Sequence, residues 1–201
     1  MKLKDLMKPA TPPLPAKTYL AVIVGVYEVG QHFSEKFKNY NHKLIFQFDI
    51  PNAKDDEGKP RQLSKWLTPG RKKGCDFLSF FGGLDDKSYS AEEVSDIDPA
   101  DYLGRACQIR VTVDAETQKN KVEAVMTLPD GIPAPKTDTP LVWYSVEEDG
   151  FEGKKWEGLP DWVRDICEKS EQYQQDPPEK NLDMPEDAAA APANEDGGCP
   201  I

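Results

Sequence analysis

Residues 17–50 read KTYLAVIVGVYEVG (17–30), QHFSEKFKNYNH (31–42) and KLIFQFDI (43–50). Two apolar runs, rich in β-branched and aromatic residues, flank a polar insert that mixes bases with rings. Val, Ile, Tyr and Phe suit a pleated surface, so both runs predict strands, over 18–29 and 42–50. The first is apolar at nearly every position, as in a strand covered on both sides or one that bends. Gly25 in its middle marks a bulge or a barrel corner. The second alternates: Leu44, Phe46, Phe48 and Ile50 share one face, and Lys43, Gln47 and Asp49 share the other with Ile45. The insert carries Phe33, Lys36, Phe37, Lys38, Tyr40, His42 and Lys43. Bases that hold phosphates and rings that stack nucleobases have this composition. So does a long hairpin whose aromatics tuck back over the end of a barrel.

A third strand is predicted over Arg61–Thr68. Its parity puts Trp66 on one side with Gln62, Ser64 and Thr68, and Leu63, Lys65 and Leu67 on the other. A tryptophan on a polar face, beside Lys65 and the run Arg71-Lys72-Lys73, is placed either to stack on a base or to lie under a neighbouring loop. Thr68-Pro69 predicts a helix start, Phe77, Leu78 and Phe81 recur at helical spacing, and Gly82-Gly83 predicts its end. In a helix over 69–81 the three bases fall in the first turn, against the dipole, as if an anion were expected there.

Ser90-Ala91-Glu92-Glu93 matches a capping box, and Asp98-Pro99 predicts another helical start. Residues 104–113 alternate, with Cys107, Ile109, Val111 and Val113 inward and Gln108, Arg110 and Thr112 outward. Residues 119–128 alternate as well, with Val122, Ala124, Met126 and Leu128 inward. The pair predicts a hairpin. Residues 132–140 are proline-rich and extended, and 141–146 predict a sixth, peripheral strand. After Pro160, the residues Trp162, Val163, Ile166 and Cys167 form one face of a short docking helix. Three parts are expected: a flexible proline-rich leader over 1–16, a domain over 17–173, and an acidic, unstructured tail over 174–201.

The chain has 201 residues and a net charge of −11, but the charge is divided. Residues 1–81 hold 14 Lys+Arg against 8 Asp+Glu, and the rest is strongly acidic. This asymmetry fits a binding surface with an acidic counterpart, or an acidic half that keeps the protein soluble. No run of about 18 apolar residues predicts a membrane span, and no apolar centre predicts a secretory signal. Cys75, Cys107, Cys167 and Cys199 are far apart, which argues against a zinc site and for a reducing, intracellular compartment. Asp55-Asp56-Glu57 and Asp85-Asp86 read as solvated turns, and no Walker or G-x-S-x-G motif is present. A non-enzymatic protein without a cofactor is expected.

Strands over 18–29, 42–50, 61–68, 104–113 and 119–128, with a helix between the third and fourth, follow the order of an OB-fold, a five-stranded Greek-key barrel. The fold class expected is all-β with minor helices. YLAVIVGVYEVG with its long insert, KWLTPG, DPADYLGRACQIRV and LPDWVRDICEKSEQY also resemble a family of phage-encoded single-stranded-DNA-binding proteins, over residues 17–173. The resemblance implies an OB-fold that coats single-stranded DNA during phage replication, recombination or repair, in the host cytoplasm. The expected contacts are Lys36, Lys38, Lys43, Lys65, Arg71, Lys72 and Lys73 on phosphates, Phe33, Phe37, Tyr40 and Trp66 on bases, and Arg110 extending the track. The C-terminus adds Glu186, Asp187, Glu195 and Asp196 before Pro200 and Ile201. Such a tail mimics phosphates over its own groove and, once displaced, recruits a phage or host polymerase, helicase or recombinase. The competing expectation is a non-enzymatic adaptor that presents its loops to a replisome or virion component.

Overall fold

The computed structural model describes residues 12–35, 37–70, 72 and 74–175. Six strands form one sheet: β1 (Lys17–Ser34), β2 (Asn39–Lys54), β3 (Pro60–Leu67), β4 (Ala106–Val113), β5 (Asn120–Thr127) and β6 (Val142–Ser145). Five run β3-β2-β1-β4-β5, all antiparallel, and β6 pairs in parallel with β1. The sheet is mainly antiparallel and open, because its end strands β3 and β5 share no ladder.

β1 organises the sheet. Its first half pairs with β4, its second half with β6, and most of its length with β2. The register slips between Ile23 and Gly25. Gly25 therefore sits at a bulge, as expected, and the Tyr27 side chain lies over it so closely that a Cβ there would meet the hydroxyl oxygen 2.4 Å away and the ring 2.6 Å away. The strands do not stop at the polar insert. A second bulge, with Gly30 at φ +80°, carries β1 on to Ser34, and β2 starts again at Asn39. Most of the insert is therefore a two-stranded arm rather than a loop.

The inner face bears Leu44, Phe46, Phe48 and Ile50 with Leu63, Lys65 and Leu67 beside them. Helix α1 (Asp76–Asp85) fills this face with Phe80 and Phe81, whose rings contact Phe46. The expected helix over 69–81 starts later. Gly74 at φ +77° turns the chain, Cys75 takes the N-cap position without a side-chain bond, and Asp76 complements the N-terminal dipole. Lys72 precedes the helix rather than lying in its first turn. Gly82 and Gly83 do not end it either. A Cβ on Gly83 would lie 2.1 Å from the Val125 carbonyl oxygen, so glycine is there to let α1 approach β5.

Short segments behave locally as their residues dictate. Ser90 and Glu93 form a capping box on α2 (Ala91–Ser95), and Asp98 caps a 3₁₀ turn over Pro99–Tyr102. In β5 a bulge beside Val111 flips the alternation. Val122 is buried as expected, but past the bulge Val125 is buried in place of Ala124, Met126 and Leu128.

A second core covers the outer face. Tyr27, Val29 and Ile45 pack there against Tyr144 of β6, Val146, Leu159, and Val163 and Cys167 of a helix over Asp161–Cys167. The sixth strand has β1 as its one partner in the sheet, as a peripheral strand would, yet its Tyr144 is buried in this core, and β1 is apolar over most of 19–29, where it is covered on both sides. The leader is not free near the sheet. Leu14 is buried, and its N–H and carbonyl bond to the Asn120 side chain. No helix among the described residues is long and apolar enough to cross a membrane.

Candidate nucleic-acid interface

Burial of large apolar groups drives folding, so large rings left in water need a reason. Among the described residues the exposed large hydrophobics are Phe33, Phe37, Tyr40, Trp66, Ile132 and Leu141. Four of these six are the rings marked for base stacking. Phe33 is 51% exposed, Phe37 68%, Tyr40 48% and Trp66 49%.

The arm presents three of them. Phe33 and Tyr40 are direct cross-strand partners, and their rings meet edge to face with centroids 5.3 Å apart. Phe37 and Lys38 lie in the turn. Lys38 adopts φ +54°, and its N–H donates to the Ser34 carbonyl at 2.7 Å to close the hairpin. That backbone is uncommon for a residue with a Cβ.

Trp66 stands on the outer face of β3 opposite Ile45. Lys43, two residues from Ile45 on the same side of β2, donates its Nζ to Thr68 Oγ1 at 2.7 Å. The expected polar row Gln62, Ser64, Trp66 and Thr68 is therefore real. Counting the pleat along β2, Tyr40 is in line with Leu44 and Phe46, and Lys43 with Ile45. The ring pair of the arm and the Trp66–Lys43 group thus leave opposite faces of the ribbon.

The cations divide. Lys38, Lys43 and Lys72 make no ion pair with a described residue. Lys65 is not part of the surface. It points to the inner face with Leu63 and Leu67, is buried, and pairs with Asp76 at 2.9 Å. Its Nζ also faces the Val122 and Glu123 carbonyls, 3.4 Å from each, and so ties β3 to β5 where no ladder does. A buried, paired ammonium is not available to phosphate. Arg110 is exposed but pairs with Glu123 at 3.1 Å, on β4, three strands from β3. It does not join Trp66. Lys36, Arg71 and Lys73, and the tail residues Glu186, Asp187, Glu195, Asp196, Pro200 and Ile201, lie outside the described residues.

The alternation did not show how the outer face is covered. Tyr27 donates its hydroxyl to Gln47 Oε1 at 2.8 Å, Gln47 donates to Gln62 at 2.8 Å, and Gln62 donates to Asp49 at 2.7 Å. Burial pushes the Tyr27 hydroxyl up to about 12. Asp49, which faces water if only β2 is read, is completely buried. Its carboxylate also accepts from the Thr137 and Thr139 hydroxyls. The one sequence signal for this was two threonines spaced two apart in an extended segment.

No family model matches this chain, and neither a curated protein nor a solved structure is similar to it.

Proposed function

We propose that this protein binds single-stranded DNA with little regard to sequence, through the β1–β2 arm and the outer face of β3. The exposed rings carry this reading: Phe33, Phe37, Tyr40 and Trp66 remain in water while the other phenylalanines are covered. Stacking on such rings is sequence-tolerant and contributes about 1–3 kcal/mol per base. Lys38, Lys43 and Lys72 supply phosphate contacts around them. A flexible strand passes from the arm's ring pair to Trp66 around the free edge of β2, with Lys43 at the crossing. A duplex has its bases already stacked and cannot follow this path.

Strand order supports the finer fold reading. In the order β3-β2-β1-β4-β5, with α1 between β3 and β4, the end strands meet across Lys65, as in an OB-fold whose barrel is incompletely closed. In this reading the protein serves phage replication, recombination or repair. Its acidic tail competes for the groove and, when released, recruits a protein partner. The test is a titration with oligo-dT at two salt concentrations, following tryptophan fluorescence. Quenching is expected, with affinity that falls as salt rises and is weaker for duplex. Absence of quenching at low salt overturns the reading and favours the adaptor.

A further inference from the structure

The chain has two histidines, and both lie in the arm: His32 on β1 and His42 on β2. Histidine is the side chain whose charge ordinarily changes between pH 5 and 8. The two are placed differently. His32 has Asn41 as its cross-strand partner, and its Nε2 lies 2.9 Å from the Val29 carbonyl oxygen. That bond needs a proton on Nε2, which the neutral and the charged ring can both supply. His42 faces Gln31 across the ribbon and shares its side of the pleat with Tyr40, about 7 Å away along the strand. It stands between that half-exposed ring and the buried Leu44.

Two carboxylates close on the His42 imidazole. Its Nδ1 is 3.4 Å from Glu28 and its Nε2 is 3.6 Å from Glu147. Glu28 is fixed in place, since its carboxylate also accepts from the Gly30 N–H at 2.7 Å, the Ser145 hydroxyl at 3.2 Å and the Glu147 N–H at 3.3 Å. Glu147 belongs to a helical turn over Val146–Asp149, and its side chain is 57% exposed. The other acids of that turn are engaged elsewhere. Glu148 accepts from the Trp143 indole, and Asp149 pairs with Lys155. Lys43, on the opposite side of β2, turns to Thr68. Among the described residues neither Glu28 nor Glu147 pairs with a lysine or an arginine. His42 is the group placed to set a positive charge between them.

The charge at the root of the arm therefore follows the proton on His42. When the ring is neutral, two carboxylates stand beside the Phe33–Tyr40 pair and repel a phosphate. When it is an imidazolium, one of those charges is offset. A phosphate near Tyr40 favours the charged ring, and the charged ring favours the phosphate in return. The sign follows: the added affinity is present below the histidine range and is lost as pH rises through it.

We infer that His42, held between Glu28 and Glu147, makes single-strand binding by the arm depend on pH, tighter in mild acid than at neutral pH. This rests on the proposed function. Oligo-dT is titrated into the full chain at one fixed salt concentration, at pH 6 and at pH 7.5, following tryptophan fluorescence. The natural chain and His32→Gln are each expected to bind about three- to tenfold more tightly at pH 6, the worth of one charge near a phosphate in water. His42→Gln is expected to bind equally at both. Equal affinities in the natural chain, a dependence that survives in His42→Gln, or one that vanishes in His32→Gln overturns the inference and leaves the proposed function standing. No binding of oligo-dT at either pH overturns both.

Glu147→Gln tests the repulsion itself at an exposed position. It should bind oligo-dT about threefold more tightly than the natural chain at pH 7.5, where His42 carries little charge. Unchanged or weaker binding overturns the inference. Should His42→Gln fail to fold, the pH dependence of the natural chain and of His32→Gln, with the Glu147→Gln affinity, decides.

Discussion

Phe46 and Tyr40 stand six residues apart on β2, on the same side of its pleat. Phe46 has no exposed surface, and Tyr40 is half exposed. The backbone treats the two rings alike. What differs is the company. Within the sheet, Phe46 meets Phe80 and Phe81 of α1. On the arm, beyond the end of β3, Tyr40 meets Phe33 across the ribbon and is otherwise half in solvent. One ring holds the fold together. The other is half in water, and folding should lose little if it is changed.

That contrast is best tested from its strongest side. Phe46→Ala is expected to cost about 3–5 kcal/mol of stability, since it opens a cavity among packed rings. Denaturant unfolding measures it, and a loss below 1 kcal/mol would mean that the body of the sheet is no better packed than the arm.

A polar knot beside α1 makes the next test. Asp85 accepts from Tyr89 at 2.6 Å, from Tyr102 at 2.5 Å, and from Arg105 at 2.5 Å. Burial alone would raise its carboxyl, but the bonds from Tyr102, Tyr89 and Arg105 outweigh that and hold it below the usual aspartate value. A carboxyl lowered by folding stabilises above its unfolded value, near 4, and that contribution fades as pH falls through the lower folded value. Asp85→Asn is expected to lose about 1–3 kcal/mol at neutral pH. Its deficit against the natural chain should shrink as pH drops below about 4. A deficit that is constant with pH would assign the effect to packing.

The exposed rings should show the reverse pattern. Trp66→Ala and Phe33→Ala are each expected to lose about 1–3 kcal/mol of oligo-dT affinity, with melting temperatures close to the natural chain's. A variant that melts much earlier, or binds unchanged, removes its ring from the surface. The smallest effect separates two lysines. Lys43→Met should reduce the log–log salt slope by about 0.7, one phosphate contact, whereas Lys65→Met should leave the slope alone. A change of slope at Lys65 would contradict its buried place.

Much of this contrast was legible in the chain. Alternation in 43–50 marked the inner face, and parity in 61–68 set Trp66 outward and Leu67 inward. Capping residues placed the short helical turns after Ser90 and Asp98. The rings of the insert read either as exposed or as tucked back over the barrel end, and the structure leaves Phe33, Phe37 and Tyr40 exposed. The same parity set Lys65 with the leucines, but charge argued for solvent, and the structure buries it. Asp49 shows the converse: its alternation is right, and its exposure is not. Gly82 and Gly83 were read as a helix stop when they mark a close approach.

By itself, then, the amino-acid order determined the pleat, the caps and the succession of strands, because each depends on neighbours a few residues away. Tertiary structure alone decided three matters. It closed β3 toward β5 over Lys65, laid residues 133–140 on Asp49, and brought Val125 against Gly83. Each of these joins groups more than forty residues apart, and one extra residue in a bulge is enough to turn such a side chain to the opposite face.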